Sequence, residues 1–299
     1  MKTLLITRKE IKEALDFYNI NLDDYKDKCY KCLVDISNNN ILKNKINYII
    51  ELLYNCENNQ LEQLWKKDNL SEFLGKTYNK FIHNILLLSG FKKHQENMQK
   101  YRFDNYQSVI HKKRVKECLL NDIYDRQLDG IRLSQVLWGI YFINIKLIEV
   151  GRLQYEYYNN KEEVYIKIHI PKGDKLYYDK VINSIKNSKK EIKKYFKKEN
   201  CKYYCESWLL SKELTKILDS NSNILKFQKL FDINKGENAI KDILNFVFDI
   251  QQIDNYCNLK ENTSLQKEIK KLLLNGEKIH IGIGKLKNRK VDTKNEIDK

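Results

Sequence analysis

The spacing of apolar residues changes period part-way along the chain, and that change constrains the fold more than any other feature. From residue 8 to about 120, apolar residues recur three and four apart. Ile11, Leu15 and Tyr18 form one set, and Leu42, Ile46, Ile49, Ile50 and Leu53 a second. Leu70, Phe73, Leu74, Tyr78, Phe81, Ile82 and Ile85 form the third and clearest. This spacing places each set on one face of a helix. No strand-like alternation stands out in this half. After Gly130 the reading changes. A helix over 132–146 carries Leu133, Val136, Leu137, Ile140 and Tyr141. Two alternating runs follow, 151–158 and 163–170, joined by Asn159-Asn160-Lys161-Glu162, which predicts a β-hairpin.

Next comes an amphipathic helix over 175–198, with Val181, Ile185, Ser188, Ile192 and Phe196 opposite a row of lysines. A strand is expected over 202–210 and short helical pieces over 211–218 and 223–231, while 239–248 fits either strand or helix. Thr263-Ser-Leu-Gln266 is a capping box opening a helix that ends at Gly276, and a short strand is expected over 278–284. The class is α+β, with a helical domain over 1–125, a mixed-sheet domain over 126–285 and a basic tail over 286–299 expected to be disordered. The segment 121–130 is the best boundary candidate.

At 299 residues the chain can bury one large core or two modest ones. A hydrophobic fraction of 42% excludes wholesale disorder, and 32% charged residues with a mean hydropathy of −0.64 exclude a membrane-embedded protein. No apolar run approaches the roughly 18–20 residues of a spanning helix, and the opening MKTLLITRKEIKEAL is too short in apolar length for a signal peptide. The expected compartment is the cytoplasm, and no membrane partner is expected. Fifty-five basic against 40 acidic residues leave a net charge of +15, which attracts anions. The wealth of Lys, Asn, Ile and Tyr favours drift from A/T-rich codons over a nucleic-acid footprint, and the aromatic and glycine motifs of RNA modules are missing. Of the seven cysteines, Cys29 and Cys32 stand in a CxxC within a helical pattern, and Cys201 and Cys205 are four apart. Reduced, largely buried thiols are expected, with no metal.

A two- or four-residue turn in the hairpin makes facing residue numbers sum to 321. Arg152 then faces His169, Gln154 faces Lys167, and Glu156 faces Tyr165, all on one side of the sheet. Leu153, Tyr155, Tyr157, Val164, Ile166, Ile168 and Ile170 take the other side as a core face. The polar side is either the solvent face of an antiparallel sheet or a site holding a base, Glu156 or His169, and a cation, Arg152. Ile168-His-Ile-Pro-Lys-Gly-Asp174 links strand to helix. It is either an ordinary turn or a place where backbone N–H groups near Gly173 and a helix N-terminus receive a phosphate. Gly282-Ile-Gly284 reads as an edge strand or as close-packing glycines.

Five segments in order then carry a resemblance: Ile148-Glu-Val-Gly-Arg-Leu-Gln-Tyr-Glu156, His169-Ile-Pro-Lys-Gly173, Cys205-Glu-Ser-Trp-Leu-Leu210, Ser222-Asn-Ile-Leu-Lys-Phe-Gln228 and Asn262-Thr-Ser-Leu-Gln266. Together they resemble bacterial acyltransferase-domain proteins with a helical N-terminal domain and a GNAT-like C-terminal domain, best over 130–285. The resemblance implies an enzyme moving an acyl group from acyl-CoA, as co-substrate, to a small-molecule amine or peptide acceptor. It implies Glu156 or His169 as base, Arg152 and Gln154 orienting substrate, and Lys172, Gly173 and Asp174 holding the cofactor phosphates. The sequence departs from the family twice. The Q/R-x-x-G-x-G/A signature is missing at 169–174, and Phe227 stands where a tyrosine acid is expected, leaving Cys205, Ser207 or a hairpin tyrosine as substitute donors. A non-catalytic GNAT-like module that binds a small molecule or protein is the alternative.

Overall fold

A computed structural model describes residues 5–55, 81–124, 133–159, 163–250 and 252–287. Leu70, Phe73, Leu74 and Tyr78, the hairpin residues 160–162, most of the boundary segment 121–130 and the tail from 288 onward lie outside the described residues. Contacts divide the chain into two compact units, 1–149 and 150–299.

The first unit is helical, as the spacing predicts. It contains α1 (Arg8–Phe17), α2 (Asp23–Ser37), α3 (Asn40–Asn55), α4 (Ile82–Ser89), α5 (Phe91–Lys100), α6 (Asn105–Tyr124) and α7 (Leu133–Ile143). Ile11, Leu15 and Tyr18, then Ile46, Ile49 and Ile50, then Ile82 and Ile85, all enter its core. α1 opens on a capping box, in which Thr7 Oγ1 accepts from the Glu10 amide and Glu10 Oε2 accepts from the Thr7 amide at 2.9 Å. Cys29 and Cys32 are buried on α2, where burial pushes each thiol up to about 12, so they are small core residues. Among the described residues no group of three or more His, Cys, Asp or Glu is placed to hold a metal ion.

α7 belongs to this first core through Val136, Ile140, Phe142 and Ile143. The division between the two compact units falls at Glu149/Val150. The physical reason is a bond set on β1 (Leu147–Val150). Arg114 of α6 grips Glu149 through Nε at 2.6 Å and Nη2 at 2.8 Å, and Gln107 Nε2 donates to the Glu149 carbonyl at 2.8 Å.

The second unit holds β2 (Leu153–Asn159), β3 (Val164–His169), α8 (Tyr178–Phe196), β4 (Lys202–Ser207), α9 (Asn223–Gln228), β5 (Phe231–Asn238), α10 (Ile240–Phe246), α11 (Ser264–Leu274) and β6 (His280–Leu286). The sheet order is β1-β2-β3-β4-β6-β5. Strand β4 runs parallel to β3 and antiparallel to β6, and β6 is antiparallel to β5. α8 ends where Lys197 turns left-handed at φ 56°. The ambiguous segment 239–248 is helical, as α10. Two strands carry no alternation that periodicity detects. β1 is only four residues, Leu-Ile-Glu-Val, buried at every position, and β5 reads FDINKGEN with only Phe231 buried. The Gly282-Ile-Gly284 segment lies inside the sheet, so it is not an edge.

The capping box at Thr263 is present. Thr263 Oγ1 accepts from the Gln266 amide and Gln266 Oε1 from the Thr263 amide, both at 3.1 Å, and Gly276 closes the helix at φ 74°. Thr263→Ala should lower stability by about 1 kcal/mol. A denaturant midpoint unchanged by the substitution would show that the cap contributes nothing.

Candidate active site

The hairpin pairs Gln154 with His169, Glu156 with Lys167, Tyr158 with Tyr165 and Asn159 with Val164. Facing numbers sum to 323, so the expected register is corrected by two residues. Asn159 stays in β2 and Glu163 leaves β3. The gain is a direct cross-strand stack of Tyr158 on Tyr165, with ring centroids 4.6 Å apart. A shift of two preserves the faces. Tyr155, Ile166 and Ile168 are buried on the core side as expected, and Tyr155 OH meets Ser184 Oγ of α8 at 2.8 Å.

The polar side is not a plain solvent face. Gln154 is 1% exposed and Glu156 8%. Glu156 Oε2 lies 2.8 Å from His169 Nε2, diagonally across the ladder, so the two base candidates form one acid–imidazole pair. Arg152 does not face His169. It stands before β2 and reaches the turn, where Nε donates to the Asp174 carbonyl at 2.8 Å and Nη1 to the Pro171 carbonyl at 2.9 Å.

That turn carries the three expected cofactor residues. Gly173 has φ 145°, and a Cβ there would meet nothing within 4 Å, so glycine answers to the backbone conformation and not to crowding. Lys172 Nζ lies 3.6 Å from Asp249, and Asp174 lies 3.6 Å from Lys180 Nζ. α8 starts just beyond, at N-cap Tyr177, with no side chain capping its first amides.

The parallel ladder of β3 and β4 ends at Ile168/Cys205, whereas β4 continues beside β6 to Ser207/Gly282. The carboxyl ends of the parallel strands β3 and β4 therefore lie side by side, at His169 and Glu206. Ends of this kind are where ligands enter α/β sheets. Glu206 has no motif to announce it. Only the alternation within β4 could have placed it on the face of Tyr204, and its carboxylate acts on two neighbours. Asp242 of α10 is raised by burial and then by Glu206. Tyr165 is pushed up to about 12 by burial, then by Tyr158, Glu156, Glu163 and Glu206.

Of the substitute proton donors, Cys205 is buried on the core face with its thiol pushed far up by desolvation. Ser207 Oγ accepts from the Leu209 amide at 3.1 Å. Phe227 is buried against Phe231, centroids 5.0 Å apart. Gln228 ties loop backbone, donating to the carbonyls of Leu209 and Ser211 at 2.9 Å.

Residues 147–286 match the family model described as a GNAT-like C-terminal domain. This part of the chain is a GNAT-like domain. Solved structures agree with the fold of the whole. An acyltransferase mutant in complex with octanoyl-CoA superposes with a TM-score of 0.70 at 16% identity, over 95% of this chain and 89% of that one. An acyltransferase in complex with decanoyl-CoA gives 0.65 at 15%, over 94% and 88%. An acyltransferase in complex with CoA and 10C-Teicoplanin gives 0.60 at 19%, over 70% of this chain and 66%, just under two thirds, of that one. No curated protein matches the chain. Among the described residues no helix is long and apolar enough to cross a membrane.

The second unit thus holds the Glu156–His169 pair, the carboxyl ends of β3 and β4 and the turn that Arg152 reaches.

Proposed function

We propose that the chain transfers an acyl group from acyl-CoA to an amine. The observation that carries this reading is the Glu156–His169 pair by the carboxyl ends of β3 and β4, beside a turn whose Lys172 and Lys175 amides donate to no backbone carbonyl among the described residues. Pantetheine enters between the two strand ends, and its pyrophosphate meets the amides near Lys172, Gly173 and Asp174 and the start of α8. Backbone N–H groups at the strand ends polarise the thioester carbonyl. His169, oriented by Glu156, takes a proton as the amine nitrogen attacks the carbonyl carbon. The tetrahedral intermediate collapses to the amide and breaks the C–S bond. The imidazolium returns the proton to the departing CoA thiolate, so no tyrosine is needed at Phe227. Gln154, across the ladder from His169, orients the acceptor. Two neighbours were solved in complex with teicoplanin or 10C-Teicoplanin, which supports trying a glycopeptide among the first acceptors.

Thiol release from acetyl-, octanoyl- and decanoyl-CoA over a panel of amines, teicoplanin-type glycopeptides included, tests this. His169→Ala should lower turnover by about 10²-fold or more and Glu156→Gln by about tenfold. Wild-type rates in both variants would remove the pair from the chemistry. A second reading, binding without turnover, is favoured by Phe227, which places a ring where the family carries a phenol. It predicts CoA binding with no thiol released for any acceptor.

A further inference from the structure

The sequence assigns Arg152 to substrate, but its donors reach the turn backbone. We infer that Arg152 is a positioning residue that sets the turn to receive the cofactor's phosphates. In a trans peptide the C=O and the N–H point in opposite directions. The Pro171 carbonyl shares its unit with the Lys172 amide, and the Asp174 carbonyl shares its unit with the Lys175 amide. One guanidinium draws both carbonyls to its own side, at 2.9 and 2.8 Å. The amides of Lys172 and Lys175 are thereby turned away from Arg152. Among the described residues neither amide donates to another backbone carbonyl.

Gly173, between the two held units, supplies the φ of 145° that lets both carbonyls converge, and the space over it is open. Only a planar fork does this. Nε and Nη1 of one rigid guanidinium span two carbonyls, whereas a lysine ammonium is a single point with a flexible stem. The family's usual glycine signature holds such a loop by backbone conformation. Here an arginine from the preceding strand junction holds it from behind. Arg152 then has no contact with phosphate, and its charge is not what the cofactor reads.

This inference rests on the acyl-CoA reading, so the test separates the two. Isothermal titration with CoA and with pantetheine, which lacks the phosphates, is run on wild type, Arg152→Gln and Arg152→Lys, with melting temperatures measured alongside. Both variants should lose about tenfold or more in CoA affinity, with pantetheine affinity and melting temperature close to wild type. Retained CoA affinity in Arg152→Lys would show that charge, not the fork, is used, and would overturn the inference. Equal loss for CoA and pantetheine would also overturn it, since a general collapse moves both. Undiminished CoA binding in both variants overturns it as well, while leaving the acyl-CoA reading intact. Wild-type protein silent to millimolar CoA overturns that reading and this inference together.

Discussion

Lowering the pH from 7.5 to 4.5 should unfold the helical unit. His94 and His111 are fully buried, their rings 5.9 Å apart. Desolvation holds His94 well below its usual value of 6.5, with His111 and Lys112 adding to the effect, and pushes His111 down to about 3. Phe17, Phe103 and Phe142 surround the two rings, and Tyr18 OH meets His94 Nδ1 at 3.1 Å. Each is therefore neutral when folded and protonates near 6.5 when unfolded. The stability this gives is complete above pH 6.5 and is lost as pH falls toward 3. Each pH unit below 6.5 removes about 1.4 kcal/mol per histidine, so two of them remove roughly 5 kcal/mol by pH 4.5. That is on the order of a whole domain's margin. Glu10, held at about 2 by Lys92 and Thr7, does not add to the loss in this window. Helical circular dichroism should fall between pH 6 and 4.5, and His111→Phe should move the midpoint down. A melting temperature equal at pH 7.5 and 5 would contradict the neutral pair.

The second large effect is expected from one methyl group. A Cβ at Gly282 would lie 2.3 Å from the Leu210 carbonyl oxygen and 2.6 Å from its carbon. The obstacle is backbone, from the 3-10 turn Trp208–Leu210 lying across β6, so no rotamer relieves it. At Gly284 the neighbours are Leu210 Cδ1 at 2.7 Å and Phe231 Cβ at 2.9 Å, side chain in one case and part of β5 in the other. Gly282→Ala should cost about 3 kcal/mol or more and Gly284→Ala somewhat less, both seen as lower melting temperatures of the intact chain. Alanine tolerated at 282 with an unchanged melt would mean that the turn can lift off the strand. Gly173 is the contrast. Its surroundings are open, and a substitution there meets only backbone strain.

Local rules made several features legible. The first-half helices follow from apolar residues three and four apart, and Ile11, Leu15, Tyr18, Ile46, Ile49, Ile50, Ile82 and Ile85 of the sets that spacing selects are in the core. The capping box at Thr263 names its own helix start. The split of the hairpin into a polar and an apolar side survives a two-residue change of register, because alternation has period two. That Glu156 and His169 share one face is therefore legible in the sequence. Their bond is not, since it depends on which residue stands opposite which. β1 and β5 carry no such signal, because a short strand buried at every position and a mostly exposed strand lack the pattern that marks a half-buried one.

From the sequence alone come the helical first half, the hairpin and its sidedness, the helix ends, and the cysteines as core residues. Each depends on residues a few positions apart. Tertiary structure alone decided that Tyr158 stacks on Tyr165 and so sets the register. It also inserted β6 between β4 and β5, brought Glu206 level with the end of β3, and turned Arg152 onto the carbonyls of Pro171 and Asp174. Those outcomes join segments far apart in the chain. Packing and hydrogen-bond geometry between them, which no local period encodes, settle where each side chain points.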